Sequence, residues 1–146
     1  MPYKWGGFDS LPDFDAGIKH GRYGGDITTK REIPDGVSCE AVGVDCSGFV
    51  SRCFNLPRQY STYELPELLF PVPSLGHLQK ADLIIKPRVH CMIFLEFDPA
   101  DPGAASVYES GSPHNPEVVW PVGRVTLSRV SVPRLLSLGY RLFRFG

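Results

Sequence analysis

The residue pattern predicts an α+β fold in which an early helix packs on a central antiparallel β-sheet. Three observations lead there. A helical spacing of apolar residues begins at Cys46, strand-like segments crowd the chain from Asp82 onward, and 146 residues of 42% hydrophobic content suffice for a single domain spanning 1–146.

In chain order, residues 1–44 are dominated by turn formers, among them Gly6-Gly7, Gly24-Gly25 and Pro34-Asp35-Gly36. They read as a largely irregular lead-in that walls a cleft, since long ordered loops in small domains tend to be functional. The first helix is expected at Asp45 or Cys46, with Asp45 as N-cap and Cys46, Phe49, Val50 and Cys53 on one apolar face. Asn55-Leu56-Pro57 should stop it near Phe54. A short helix is expected over 62–65. Strands follow at 82–85 and 89–97 around a Lys86-Pro87-Arg88 turn, the second apolar on both faces as far as Leu95 and therefore central. Further strands are expected at 105–110, 117–121 and 140–145, with a short helix over 132–138.

Composition removes several classes of function. Fifteen basic and sixteen acidic residues are dispersed without a basic stripe, which argues against a nucleic-acid partner. No segment reaches the roughly 20 apolar residues of a membrane-spanning helix, and the opening residues do not read as a signal peptide. Cys39, Cys46, Cys53 and Cys91 include no close Cys-x-x-Cys pair, so neither a metal nor another cofactor is expected. With one cysteine as nucleophile, at most one internal disulfide is possible among the other three.

The chemistry concentrates at Cys46. A thiol at a helix N-terminus is favoured as thiolate by unpaired N–H groups and the helix dipole, and small neighbours such as Ser47 and Gly48 leave room for a substrate carbonyl. The other reading makes Cys46 a small apolar residue of an amphipathic helix. Cys53, two turns on, reads as core, while Cys39 and Cys91 show no activating feature. A cysteine hydrolase also needs a base. His90, at the start of the most apolar strand, is the best placed of the four histidines; His20, His77 and His114 read as solvated loop residues.

Three blocks carry a resemblance to a known family. Tyr3-Lys-Trp-Gly-Gly, Val44-Asp-Cys-Ser-Gly-Phe-Val, and Asp82-Leu-Ile with His90-Cys-Met-Ile-Phe-Leu resemble, in order, the opening, nucleophile and histidine-strand motifs of the NlpC-type papain-like cysteine peptidases of bacterial cell walls. The resemblance implies a papain-like fold, with Cys46 as nucleophile, His90 as general base and a third polar residue on the next strand. Glu109 stands at that position, with Ser110 and His114 as alternatives. It further implies that Tyr3, Asp45 and Ser47 contact a substrate amine, that the partner is the peptide stem of peptidoglycan, and that the protein is secreted or lies in the cell envelope. From the residues alone, Asp45 is equally an N-cap, Ser47 a small first-turn residue and Tyr3 a cleft-wall aromatic. Ala81 stands where the family has glycine, the insert 8–43 is long, and so is the span from His90 to Glu109.

The expected activity is hydrolysis of an amide bond through a Cys46 thioester. Two alternatives keep the fold: an amidohydrolase or acyltransferase on a substrate outside the cell wall, or a catalytically silent peptide-binding module. A structural zinc protein is a remote fourth reading.

Overall fold

Apolar alternation on both faces from Leu83 to Phe94 makes a pair of buried strands, and the rest of an antiparallel sheet assembles around them. A computed structural model describes residues 1–25, 41–111 and 124–146. Cys39, His114 and the strand expected at 117–121 lie outside the described residues. The fold is mixed α+β, with a six-stranded antiparallel sheet and few helices. The chain divides into two compact units: Met1–Tyr60 with Ser110–Val125, and Ser61–Glu109 with Thr126–Gly146.

In the first unit, helix α1 (Leu11–Lys19) precedes a two-stranded parallel ladder of β1 (Tyr23–Gly24) and β2 (Ala41–Val42), and helix α2 (Cys46–Cys53) follows. The expectation of an irregular lead-in is therefore corrected at α1. Its start is a capping box, with Ser10 accepting from Asp13 N–H and the Asp13 side chain accepting from Ser10 N–H, and Pro12 sits in the first turn. Only Gly17 is buried, and Leu11 and Ile18 face solvent, so the helix lacks the apolar stripe that would have revealed it.

Helix α2 begins and ends as expected. Asp45 caps it, and its C-terminus closes in a Schellman motif around Asn55, left-handed at φ 53°: Leu56 N–H donates to Ser51 O and Asn55 N–H to Arg52 O. Its buried face is different from the one expected. Ser47, Gly48, Val50 and Ser51 are buried, while Cys46 and Phe49 are half-buried and Cys53 is exposed. Small residues win that face because backbone must approach it closely. A Cβ on Gly48 would collide with the Gly7 carbonyl oxygen, and Ser51 Oγ accepts the Tyr60 N–H at 3.0 Å.

In the second unit, the sheet comprises β3 (Leu69–Pro71), β4 (Leu83–Lys86), β5 (His90–Phe97), β6 (Ala104–Ser110), β7 (Val125–Ser131) and β8 (Arg141–Phe145), in the order β3-β8-β4-β5-β6-β7. The unit boundary leaves Ser110 and Val125, the terminal residues of two strands, in the first unit. Strand β5 is central, as its two apolar faces predict. Strands β3 and β7 escape sequence reading: β3 is short and contains a proline, and β7 mixes Thr, Ser and Arg with half-buried valines and an exposed Leu127. The helix expected over 62–65 is a 3-10 turn at Leu65–Leu68.

Register puts Ile84, Met92 and Leu142 side by side, and Phe94 beside Val107, on one face. Val132 and Leu135 of helix α3 (Val132–Ser137) join that face to form the core. Leu83, Ile85 and Cys91 alternate onto the opposite face and are also fully buried.

The entrance to β4 is fixed by charge. Arg144 of β8 donates from Nε to Asp82 Oδ1 and from Nη2 to Asp82 Oδ2, each at 2.8 Å, and Gln79 N–H also donates to Oδ2. Ala81 just before it is left-handed, at φ 76°, and exposed. An L side chain in that region costs roughly 1–2 kcal/mol. Ala81→Gly should therefore raise stability by about 0.5–1 kcal/mol after allowing for the freer unfolded chain. Urea unfolding reads this directly; an unchanged or lowered midpoint would refute it.

Candidate active site

The N-terminal segment is stitched to the residues leading into α2. Lys4 N–H donates to Val44 O, Val44 N–H to Pro2 O, Asp45 N–H to Gly7 O, and Gly43 N–H to Asp9 Oδ2. This places Tyr3-Lys-Trp-Gly-Gly and Val44-Asp-Cys-Ser-Gly, two of the three sequence blocks, side by side.

Asp45 is the centre of that arrangement. Its Oδ1 accepts from Gly48 N–H at 2.6 Å and Ser47 Oγ at 3.3 Å, and its Oδ2 from Gly6 N–H at 3.0 Å and Gln59 Nε2 at 2.6 Å. A carboxylate offers about four acceptor positions, so the chain's own donors use them all. The N-cap reading of Asp45 is what the structure shows, and the two oxygens tie together the Gly6 turn, the first turn of α2 and the loop at Gln59. Sequence reasoning missed Gln59, fourteen residues away from Asp45 with no motif around it.

Burial pushes the Asp45 carboxyl up from 3.8 to about 6. The Gly48 N–H works against this, negative charge on Cys46 adds to it, and Gln59 and Gly6 oppose it more weakly. Asp45 and a Cys46 thiolate therefore disfavour each other's charge.

Cys46 is the first residue of α2 and half-buried, not sealed in the core. The room anticipated beside Gly48 is filled by the Gly7 carbonyl, and Gly48 N–H is engaged with Asp45. Ser47 is buried, its hydroxyl donating to Asp45. Tyr3 is half-buried; its backbone bridges to Val44, and its ring lies against Gly111, where a Cβ would come within 3.0 Å of it. Cys53, expected in the core, is exposed, although partial desolvation pushes its thiol up. Cys91 is fully buried.

His90 and Glu109 meet in the second unit. They lie on neighbouring strands β5 and β6, each 2% exposed, with His90 Nε2 3.3 Å from Glu109 Oε1. The separation is longer than the 2.7–2.9 Å typical of strong charge-assisted bonds. An acceptor at Nε2 favours the tautomer protonated there. Ser110, the neighbouring alternative, is buried and donates its hydroxyl to Val44 O at 2.9 Å. His20 and His77 are exposed; Nδ1 of His20 contacts Ala16 O, and Nδ1 of His77 contacts Ser74 Oγ.

Among the described residues, no group of three or more His, Cys, Asp or Glu could hold a metal ion, and no helix is long and apolar enough to cross a membrane. No family model, no curated protein and no solved structure matches the chain.

The raised Asp45 carboxyl has a consequence for stability. The folded state holds the proton more tightly than the unfolded chain, so stability falls as pH rises from about 4 to about 6, by about 3 kcal/mol for this group. Asp45→Asn should remove that slope. Urea melts of both proteins at pH 4 and pH 7 test it, and equal pH dependence in the two would refute it.

Proposed function

We propose that the chain is a cysteine hydrolase of papain-like NlpC type, cleaving amide bonds in the peptide stems of peptidoglycan and acting in the cell envelope or outside the cell. One observation carries the reading: a histidine and a glutamate, both buried, are paired across two strands at the position where the sequence motifs put a catalytic base and its orienter. Burying such a pair is costly and adds little stability of its own, which suits catalysis better than packing.

In this reading, His90 Nδ1 takes the Cys46 proton and Glu109 steadies the imidazolium through Nε2. Sγ attacks the amide carbonyl carbon, and the oxyanion is met by N–H groups of the first turn of α2. The C–N bond then breaks as the imidazolium returns its proton to the leaving nitrogen. Water, deprotonated by His90, opens the thioester and releases the acid. The half-exposure of Cys46 and its place at a helix N-terminus support the nucleophile role. Asp45, Ser47 and Tyr3 line the start of α2 and are proposed to shape the substrate site; a substrate amine reaching Asp45 would have to displace one of its present donors.

Cell-wall fragments incubated with wild type and Cys46→Ala, followed by mass spectrometry, test the activity. Wild type should release a peptide product that the variant does not. His90→Ala should lower the rate by about 10²–10⁴-fold, and Glu109→Gln by less. Iodoacetamide at about pH 6 should label Cys46 ahead of Cys53 and Cys91, and lose that preference in His90→Ala. Equal labelling in wild type, or no cleavage of any fragment, would sink the proposal.

A further inference from the structure

The turn that delivers His90 to the sheet contains an unexpected residue. Val89 N–H donates to Lys86 O at 3.0 Å, closing a turn with Pro87 second and Arg88 third. Arg88 has φ 67°, the left-handed region that favours glycine at that position of a turn. Arginine is held there by two neighbours. Its backbone N–H donates to the buried Thr62 Oγ1 at 2.8 Å, and its guanidinium lies 5.4 Å from the centroid of the Tyr63 ring, itself 56% exposed.

Three cationic side chains stand on the strands and turn at this end of the sheet. Lys86 pairs in register with His90 and Arg141 with Ile85, and among the described residues Lys86, Arg88 and Arg141 make no ion pair. Arg52, Arg129 and Arg144 are each paired with a carboxylate. Of the carboxylates on neighbouring segments, Glu109 is buried against His90, and Glu64, next to Tyr63, accepts from Ser61 N–H and Oγ.

We propose that Arg88, steadied on Tyr63, is a specificity-determining residue that binds a carboxylate of the peptide substrate close to the amide being cut. The proposal rests on the hydrolase reading for the word substrate, and on Arg88 alone for the binding. Strained backbone concentrates where function needs it, and a guanidinium beside an aromatic ring offers its planar fork to a carboxylate. The position two residues before His90 would let that carboxylate set the register of the peptide at the base.

The test uses N-acetyl tripeptide amides carrying Glu at each position in turn, with Gln counterparts, titrated by NMR into Cys46→Ala so that no turnover occurs. At least one Glu peptide should bind about tenfold more tightly than its Gln counterpart. Arg88→Gly should abolish the difference, and Arg88→Lys should keep only part of it. Arg88→Gly should also raise the melting temperature by about 2–4 °C, because the strain is relieved, so loss of binding would not reflect loss of folding. Equal affinity for Glu and Gln peptides, no binding by either, or equal displacement by inorganic phosphate at matched ionic strength would overturn the inference. Glu-selective binding without cleavage by wild type would sink the hydrolase reading alone, whereas cleavage indifferent to the carboxylate would sink this inference alone.

Discussion

The Asp45 carboxylate is the constraint around which the first unit is organised. Its two oxygens hold three segments remote in sequence, the Gly6 turn, the start of α2 and Gln59. An uncapped helix of eight residues is marginal in water, so the short α2 depends on this capping and on packing more than on helix propensity. The same carboxylate sits beside Cys46, and its charge opposes a thiolate there. Stability and the state of the candidate nucleophile are thus coupled through one buried group.

The second unit solves a related problem at its sheet. Strands β4 and β5 bury both faces, which supplies apolar area but leaves polar groups at the strand ends in need of partners. At the entrance to β4, Asp82 is satisfied by the Arg144 fork and the Gln79 N–H. At the entrance to β5, His90 faces Glu109. The first pairing is a two-pronged anchor between strands β4 and β8. The second joins a buried histidine and a buried carboxylate across strands β5 and β6.

Much of this was legible in the residues, and the failures have common causes. The boundaries of α2, the central place of β5 and the strand of Glu109 followed from Asp45, Asn55-Leu56-Pro57 and unbroken apolar runs, all local signals. Helix α1 was missed because its stability comes from a Ser10–Asp13 capping box and not from an apolar stripe. The buried face of α2 differs from the expected one because hydrophobicity puts Cys46, Phe49, Val50 and Cys53 on one apolar face, with Cys53 as core, whereas close backbone approach selects Ser47, Gly48 and Ser51. No sequence signal marks Gln59 as a partner of Asp45, or Thr62 and Tyr63 as the holders of Arg88.

The amino-acid sequence by itself determined the α+β class, the cap and stop of α2, and the strands that carry His90 and Glu109. These depend on periodicity, turn chemistry and residue type, which act over a few neighbours. Tertiary structure alone decided which face of α2 is buried, that four chain donors surround Asp45, and that an arginine occupies a left-handed turn before His90. Those outcomes come from groups far apart in the chain competing for the same space and the same hydrogen bonds, and that competition is settled only when the backbone closes around them.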